Sequence, residues 1–542
     1  MSTSTGLPEI LDVGYLAILA RALDGHSTGE DLRSVGGLPT GKESTLLRQG
    51  RVLDSLAHLS ICNKQKQAVA IAAEIDQKGV HLYVAENGTV DPRVVPNLCF
   101  IFSTLKSVKV LARDIPALQG KSSRAAVESL YAAGAGSPPV DKLNELERKL
   151  IEHGWPRLRW RLTKRFKAFI TFMKDSGAHR ALLDNIHELV VEMNAILREG
   201  PSDSLRVELI RVDMIALHIQ VIDLLGDKDT VPTPYSLFGT CNLYLEAKRM
   251  DKSLQMHRWM HKLIAPRIHF LRVANMIGSV KLAPLLDHEV TISSVPASKS
   301  DIEIEVDYEM LEGVARAAGW QARDELPGPP TGKVDLAEGS FPNGTLGAFF
   351  SKVRGSLVLM DDHGTSVPVS RTLLVHPWDV FARTYKDVAV HCECALLAHL
   401  HRRTLIPYIG LSKLSCFLCH EYISAYAQLT GVLITTRGCH AQLATPWVFP
   451  TTSSSDVNAH AEKILQRDLL RMIFDRLEDL RREVEMERWK LRAAHVRNTS
   501  QSTVGSSDDT KPTNPVWRAK LVADARAVSS AFKAIKESEQ QA

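Results

Sequence analysis

Residues 388–421 read VAVHCECALLAHLHRRTLIPYIGLSKLSCFLCHE and hold four of the chain's eight cysteines. Cys439 follows closely, whereas Cys62, Cys99 and Cys241 are scattered. Cys416-Phe-Leu-Cys419 is a C-x-x-C pair, the spacing at which two thiolates at the start of a helix hold one tetrahedral zinc. Helix N-terminal amides favour negative charge, which lowers thiol pKa values and readies the sulfurs for a metal. A structural zinc site asks for a fourth ligand, often from a second C-x-x-C or an H-x-x-H pair, and none is obvious. What stands upstream is His391, with Glu393 two positions after it. Three protein ligands leave the fourth position open for water, which is the catalytic arrangement. Glu393 would accept the proton that the metal makes labile and pass it to a leaving amine.

A chain of 542 residues is long enough for two to four domains and a large core. Its 44% hydrophobic and 24% charged residues are ordinary for a globular protein. The N-terminal MSTSTGLPEILDVGY has no basic stretch followed by an apolar one, so no export signal is expected. No run of uninterrupted apolar residues approaches the length of a membrane span. The expectation is an intracellular protein, cytoplasmic or nuclear, where clustered cysteines point to metal or catalysis rather than disulfides. A net charge of +4 permits nucleic-acid binding without arguing for it.

Along the chain, residues 43–60 carry apolar positions at helical spacing, and two apolar runs flank the turn-forming DQKG in AVAIAAEIDQKGVHLYVAENG. Residues 1–140 therefore read as an N-terminal helix and β-hairpin region. Residues 141–290 read as α-helical, with breaks at Gly154–Pro156, 200–204 and the VPTP of 231–234. A mixed segment, 291–344, offers the strands HEVTI and DIEIEV, a short helix, and a Pro/Gly-rich linker at 324–344. The Cys-rich domain spans 345–455. A charged amphipathic helix follows at 456–498, with an apolar seam of Leu465, Leu469, Ile473, Leu477, Leu480 and Val484. Residues 499–515 read as disordered, and 516–542 as a C-terminal helix and tail.

His391-Cys-Glu393 followed by SCFLC resembles the H-x-E…P-C-x-x-C signature of zinc-dependent nucleobase deaminases. YIGLSKLSCFLC and the later TTRGCHAQLATPW look most like a fungal branch of predicted nucleic-acid or nucleotide deaminases in the cytidine-deaminase-like superfamily. The resemblance covers about 388–450 and departs at Ser415, where most members have Pro; a Ser N-cap would do a similar job. It implies an α/β fold, a three-layer α/β/α core, here with a large mostly helical accessory region. It also implies Zn²⁺ on His391, Cys416 and Cys419, and Glu393 as proton shuttle while zinc-bound hydroxide attacks the ring carbon bearing the amine. The implied substrate is a nucleobase in a free nucleotide or single-stranded nucleic acid. The family's sheet opens with a hairpin that ends near a substrate-contacting Asn. That hairpin is either the local segment 356–370 or the distant one in 43–88, which would bring Asn87 to the pocket. Arg437 and His440 match the family's RG-x-H and are candidate substrate contacts.

Other features carry less. GGLPTGKE at 36–43 imitates a phosphate loop but has Glu43 where Ser or Thr would bind magnesium. His257 and His261 lack the Glu of a zinc protease between them. RLRWRLTKRFKAF at 157–169 interleaves cations with aromatics, a pattern shared by phosphate-gripping segments and amphipathic helices. Cys392, Cys394 and Cys439 read as pocket wall or core, and the seam at 465–484 as docking on its own domain or supporting self-association. Two further classes stay open: a catalytically silent zinc scaffold, and a nucleic-acid-binding protein with a deaminase-like fold.

Overall fold

A computed structural model describes residues 12–24, 45–113, 127–225, 256–320, 345–353 and 381–502, apart from short gaps within them. The chain forms two compact units, Met1–Leu480 and Arg481–Ala542. In chain order the first contains α1 (Val13–Asp24), α2 (Thr45–Leu59), β1 (Val69–Ile75), β2 (Val80–Glu86) and α3 (Val94–Ala112). The helices α4 (Pro138–Asp175), α5 (Arg180–Glu199), α6 (Ser204–Leu225), α7 (Met256–Ala274) and α8 (Ala283–Asp287) follow. Then come β3 (Val290–Ser294), β4 (Lys299–Val306), α9 (Tyr308–Ala317), β5 (Phe381–Ala389) and α10 (Cys392–His399). The unit ends with β6 (Tyr408–Leu411), α11 (Phe417–Thr430), β7 (Thr435–Thr436) and the first part of α12 (Ser455–Ser502), which continues into the second unit.

The main sheet has the order β3-β2-β1-β6-β7. Its centre is the hairpin β1–β2, closed by a turn in which the Gly79 amide donates to Asp76 Oδ1 at 2.9 Å. β1 pairs antiparallel with β6 through Ala70–Leu411 and Ile71–Gly410, so segments more than 300 residues apart share one sheet. The Cys-rich segment 345–455 does not hold the whole sheet: β1, β2 and β3 come from earlier in the chain. The alternative hairpin at 356–370 lies outside the described residues, as do the phosphate-loop mimic at 36–43, the break at 231–234, the linker at 324–344 and the tail from 503.

β1 reads VAIAA because both of its faces are buried. Val69, Ile71 and Ala73 join a core with Leu53 and Leu56 of α2 and Leu98, Ile101 and Leu105 of α3. Ala70 and Ala72 alternate with them and are equally buried, and α10 packs against β1 and β2. α3 is the one helix among the described residues long and apolar enough to cross a membrane; Val94, Leu98, Ile101, Phe102, Leu105 and Val108 fill this core, whereas Val110 and Leu111 are exposed. α2 crosses β6 closely: a Cβ on Gly410 would collide with the backbone and side chain of Leu53, and one on Gly50 with the ring of Tyr408. Asp54 fastens the crossing, accepting from the Tyr408 hydroxyl at 2.7 Å and the Leu411 amide at 2.8 Å.

The helical region departs from its sequence reading at Gly154–Pro156, where α4 runs on unbroken with Pro156 inside it. Proline there removes one backbone hydrogen bond. Its neighbours Trp155 and Leu158 are buried in a second core formed by α4 to α7, and burying side chains of this size stabilises by about 1.5–3 kcal/mol each. Earlier residues of the same helix, Leu143 and Leu146, belong to the sheet's core instead. α4 thus connects the two cores, with the Gly-Trp-Pro at the passage.

β5 is a strand the sequence reading missed. It pairs antiparallel with β4 and delivers the chain to His391, with the Asp387 amide donating to Asp301 Oδ1 at 2.9 Å beside a register shift. The shift and the positive φ of 53° at Asp387 break the alternation by which strands are recognised. Of the α12 seam, Leu465, Leu469, Ile473, Leu477 and Leu480 are buried within the first unit. The helix reaches Ser502, past the boundary at 498 where disorder was expected to begin.

Burial raises the Asp54 carboxyl to about 6, opposed by the Leu411 amide, Arg437, the Tyr408 hydroxyl and Arg272. With the folded pKa above the unfolded one, Asp54's contribution to stability is complete near pH 4 and is lost as pH rises through 6. Asp54→Asn, which keeps the shape and removes the charge, should match the wild type near pH 4. By pH 7 it should gain up to about 3 kcal/mol over the wild type. Urea unfolding of both proteins across this range checks it; a gap that does not change with pH would refute the assignment.

Candidate metal and catalytic centre

Two helix starts meet at the site. His391 is the N-cap of α10, and Cys416 the N-cap of α11, where its sulfur accepts from the Cys419 amide at 3.5 Å. Capping by Cys416 itself leaves Ser415 outside the helix, so Ser415 is not the cap that the sequence reading expected. Its amide donates to the Gly438 carbonyl at 3.0 Å, a bond proline could not make, and its carbonyl accepts from the His440 amide.

The metal-binding atoms of His391, Cys416 and Cys419 all lie within 4.8 Å of one another. Nδ1 of His391 stands 3.2 Å from the Cys419 sulfur and 3.5 Å from that of Cys416, and the two sulfurs are 3.3 Å apart. A disulfide would need about 2.05 Å. Ligands on one tetrahedral zinc stand roughly 3.5–3.8 Å apart, so this set fits the ion after small adjustment. The hydrogen bond with Cys419, and then burial, hold the Cys416 thiol well above its ordinary pKa, and burial does the same to Cys419. A dication between them reverses that preference and lets both ionise. Among the described residues no other His, Cys and carboxylate cluster has this arrangement.

A cavity of about 240 Å³ opens beside these atoms. Asn87, His391, Cys392, Glu393, Lys413 and His440 contribute to its wall. Glu393 is buried in the first turn of α10, next to the Cys392 thiol, which donates to Oε2 at 3.3 Å. Asn87 follows β2 directly; its Oδ1 accepts from the Cys392 amide at 2.8 Å and ties the distant hairpin to the start of α10. Gly88 continues with φ of 109°, a conformation that favours glycine and turns the chain away. Arg437 is exposed, outside the cavity wall, and in the field of Asp54 and His58.

One group near the metal-binding atoms had no role in the sequence reading. Trp447, fully buried, donates its indole N–H to the Cys419 sulfur at 3.4 Å. Cys394 lies against the same sulfur but outside the donor set, and Cys439 accepts from the Ala441 amide at 3.1 Å. The indole contact joins residues 28 apart through tertiary packing, and no local spacing announces it.

Cys419→Ala should abolish stoichiometric zinc binding. Trp447→Phe, which keeps the packing and removes the donor, should weaken it by about 10-fold. Competition against a chromogenic chelator measures both; equal zinc affinity in all three proteins would refute the assignment.

Residues 390–451 match the family model described as "OTT_1508_deam:-like deaminase". No curated protein and no solved structure matches the chain. The matched segment contains His391, Glu393, Cys416 and Cys419, and it supports a deaminase family for this part of the chain.

Proposed function

We propose that the chain is a zinc-dependent hydrolytic deaminase of the cytidine-deaminase-like superfamily, removing an exocyclic amine from a nucleobase within a nucleotide or nucleic acid. The observation that carries this is the cluster of His391, Cys416 and Cys419 beside a small cavity that His391, Cys416 and the buried Glu393 line, inside the segment that matches a deaminase family. A purely structural metal site has no need of Glu393. The sheet, with α2 and α3 against Val69, Ile71 and Ala73 and α10 packed on β1 and β2, suits a three-layer α/β/α core.

His391, Cys416 and Cys419 would hold the zinc. The ion supplies Lewis acidity that brings deprotonation of a water close to neutral pH. Glu393 takes that proton and returns it to the amine, so that a C–O bond forms, the C–N bond breaks and ammonia leaves. The Cys392 thiol holds one carboxylate oxygen of Glu393. Asn87 has its Oδ1 fixed by the Cys392 amide, while its Nδ2 makes no hydrogen bond among the described residues and remains a donor for base or ribose. His440 closes the cavity from the β7–α12 connection.

The test is ammonia release from cytosine- and adenine-containing bases, nucleosides, nucleotides and single strands, using zinc-loaded protein. Glu393→Gln should retain zinc and lose at least about 100-fold in kcat. Zinc binding without ammonia release from any of these would refute the enzymatic reading in favour of a zinc scaffold.

A further inference from the structure

A nucleotide presents a base to the cavity and a phosphate to whatever surrounds its mouth. At about 240 Å³ the cavity is smaller than most sites that enclose a whole ligand, so the charged end of such a substrate would lie outside it. Lys413, three residues before Cys416, is part of the wall and remains exposed. It forms no salt bridge or hydrogen bond among the described residues. It lies in the field of Arg157 and Arg161 of α4 and of Glu393.

Those two arginines lie one helical turn apart and are anchored very differently. Arg161 is buried, donating to the Lys262 carbonyl at 2.8 Å and contacting Nε2 of His58 at 3.2 Å. His58 in turn stacks on His269 at 4.1 Å. Arg157 is half-buried, its Nε is shielded from solvent without a hydrogen-bond partner, and no carboxylate among the described residues offsets its charge. Burial alone lowers it to about 10. Burial and then the Arg157 charge push Lys413 down to about 8, although its exposure lets solvent screen part of that effect. A guanidinium kept partly desolvated with no partner among the described residues, in the field of a second cation, is unfavourable to the chain alone and suited to an anion.

We infer that Arg157 and Lys413 form a phosphate subsite at the cavity mouth, with Arg161 as its buried support, so that the base reaches Glu393 as part of a nucleoside monophosphate. This rests on the nucleobase reading of the cavity. Arginine offers a planar fork to phosphate oxygens, and lysine a second point charge. A single terminal phosphate fits better than a strand: Arg159 and Lys167, which would extend a track along α4, are exposed on other faces of the helix, and Lys164, on the same face, sets its ammonium over the Trp160 ring at 4.7 Å.

Binding measured by calorimetry separates this inference from the catalytic one. The probes are cytidine and adenosine, their 5′-monophosphates, inorganic phosphate and a short single-stranded oligonucleotide, each titrated into the zinc-loaded full chain. At least one monophosphate should bind about 10-fold or more tightly than its nucleoside. Arg157→Gln and Lys413→Gln should each reduce that ratio to about 2-fold, and Arg157→Gln, which lies outside the cavity wall, should leave nucleoside affinity unchanged. Thermal melting should show Arg157→Gln no less stable than the wild type, because the substitution removes no hydrogen bond among the described residues; should it fail to fold, Lys413→Gln decides alone. Equal binding of nucleoside and monophosphate, or Arg157-dependent binding of the oligonucleotide alone, would overturn the subsite. Phosphate discrimination without ammonia release would uphold it and refute the deaminase reading. Ammonia release from nucleosides with no phosphate discrimination would do the reverse.

Discussion

The site depends on the pairing of β1 with β6. The antiparallel register sets Ala70 and Ile71 opposite Leu411 and Gly410, and the Ser412 amide donates to the Val69 carbonyl at 3.0 Å. The junction is reinforced by the Val69 amide on the Ser412 hydroxyl at 2.8 Å and by Asp54 on the Leu411 amide. Without this pairing, α10 would start far from Asn87 and the loop carrying Lys413 would have no wall to complete. The entropy of closing so long a loop grows only with the logarithm of its length, so a large insertion between strand partners costs little more than a small one. Close packing supplies the specificity, since α2 can cross β6 only where position 410 has no side chain.

The same packing sets the electrostatics. The two thiols are buried, an arrangement compatible with their charged forms only when a cation is at hand. Trp447 and the helix N-termini of α10 and α11 add neutral donors in the same direction. On the outer side, Arg157 and Lys413 carry positive charge that the described residues leave uncompensated. On the proposed reading, His391, Cys416 and Cys419 would form a metal-holding floor, and Lys413 in the cavity wall with Arg157 in its field would meet the anionic end of a ligand that is neutral at the reacting ring.

Much of the floor was legible in the sequence because its parts are local. C-x-x-C at a helix start and a His followed two residues later by Glu are short-range patterns, and each falls at the N-terminus of a helix. The hairpin was readable from two apolar runs flanking DQKG, and the family pattern suggested a position for Asn87. What joined them was not readable: β6 meets β1 through Ser412 on the Val69 amide and meets α2 through Gly410 and Asp54, residues with no pattern between them. Pro156 read as a break because local propensity favours one, and the buried Trp155 and Leu158 overrode it. Arg157 was visible as one cation among six in a basic-aromatic stretch, but only packing separates the inward Arg157 and Arg161 from the solvated Arg159 and Lys164.

X-ray absorption at the zinc edge of the full-length, zinc-loaded protein tests the central claim most directly. One zinc with two sulfur ligands at about 2.3 Å and two nitrogen or oxygen ligands at about 2.0 Å is the predicted result: the two thiolates, one imidazole and one open position filled by solvent. A four-sulfur or three-sulfur shell, or a folded chain that takes up no zinc, would contradict it.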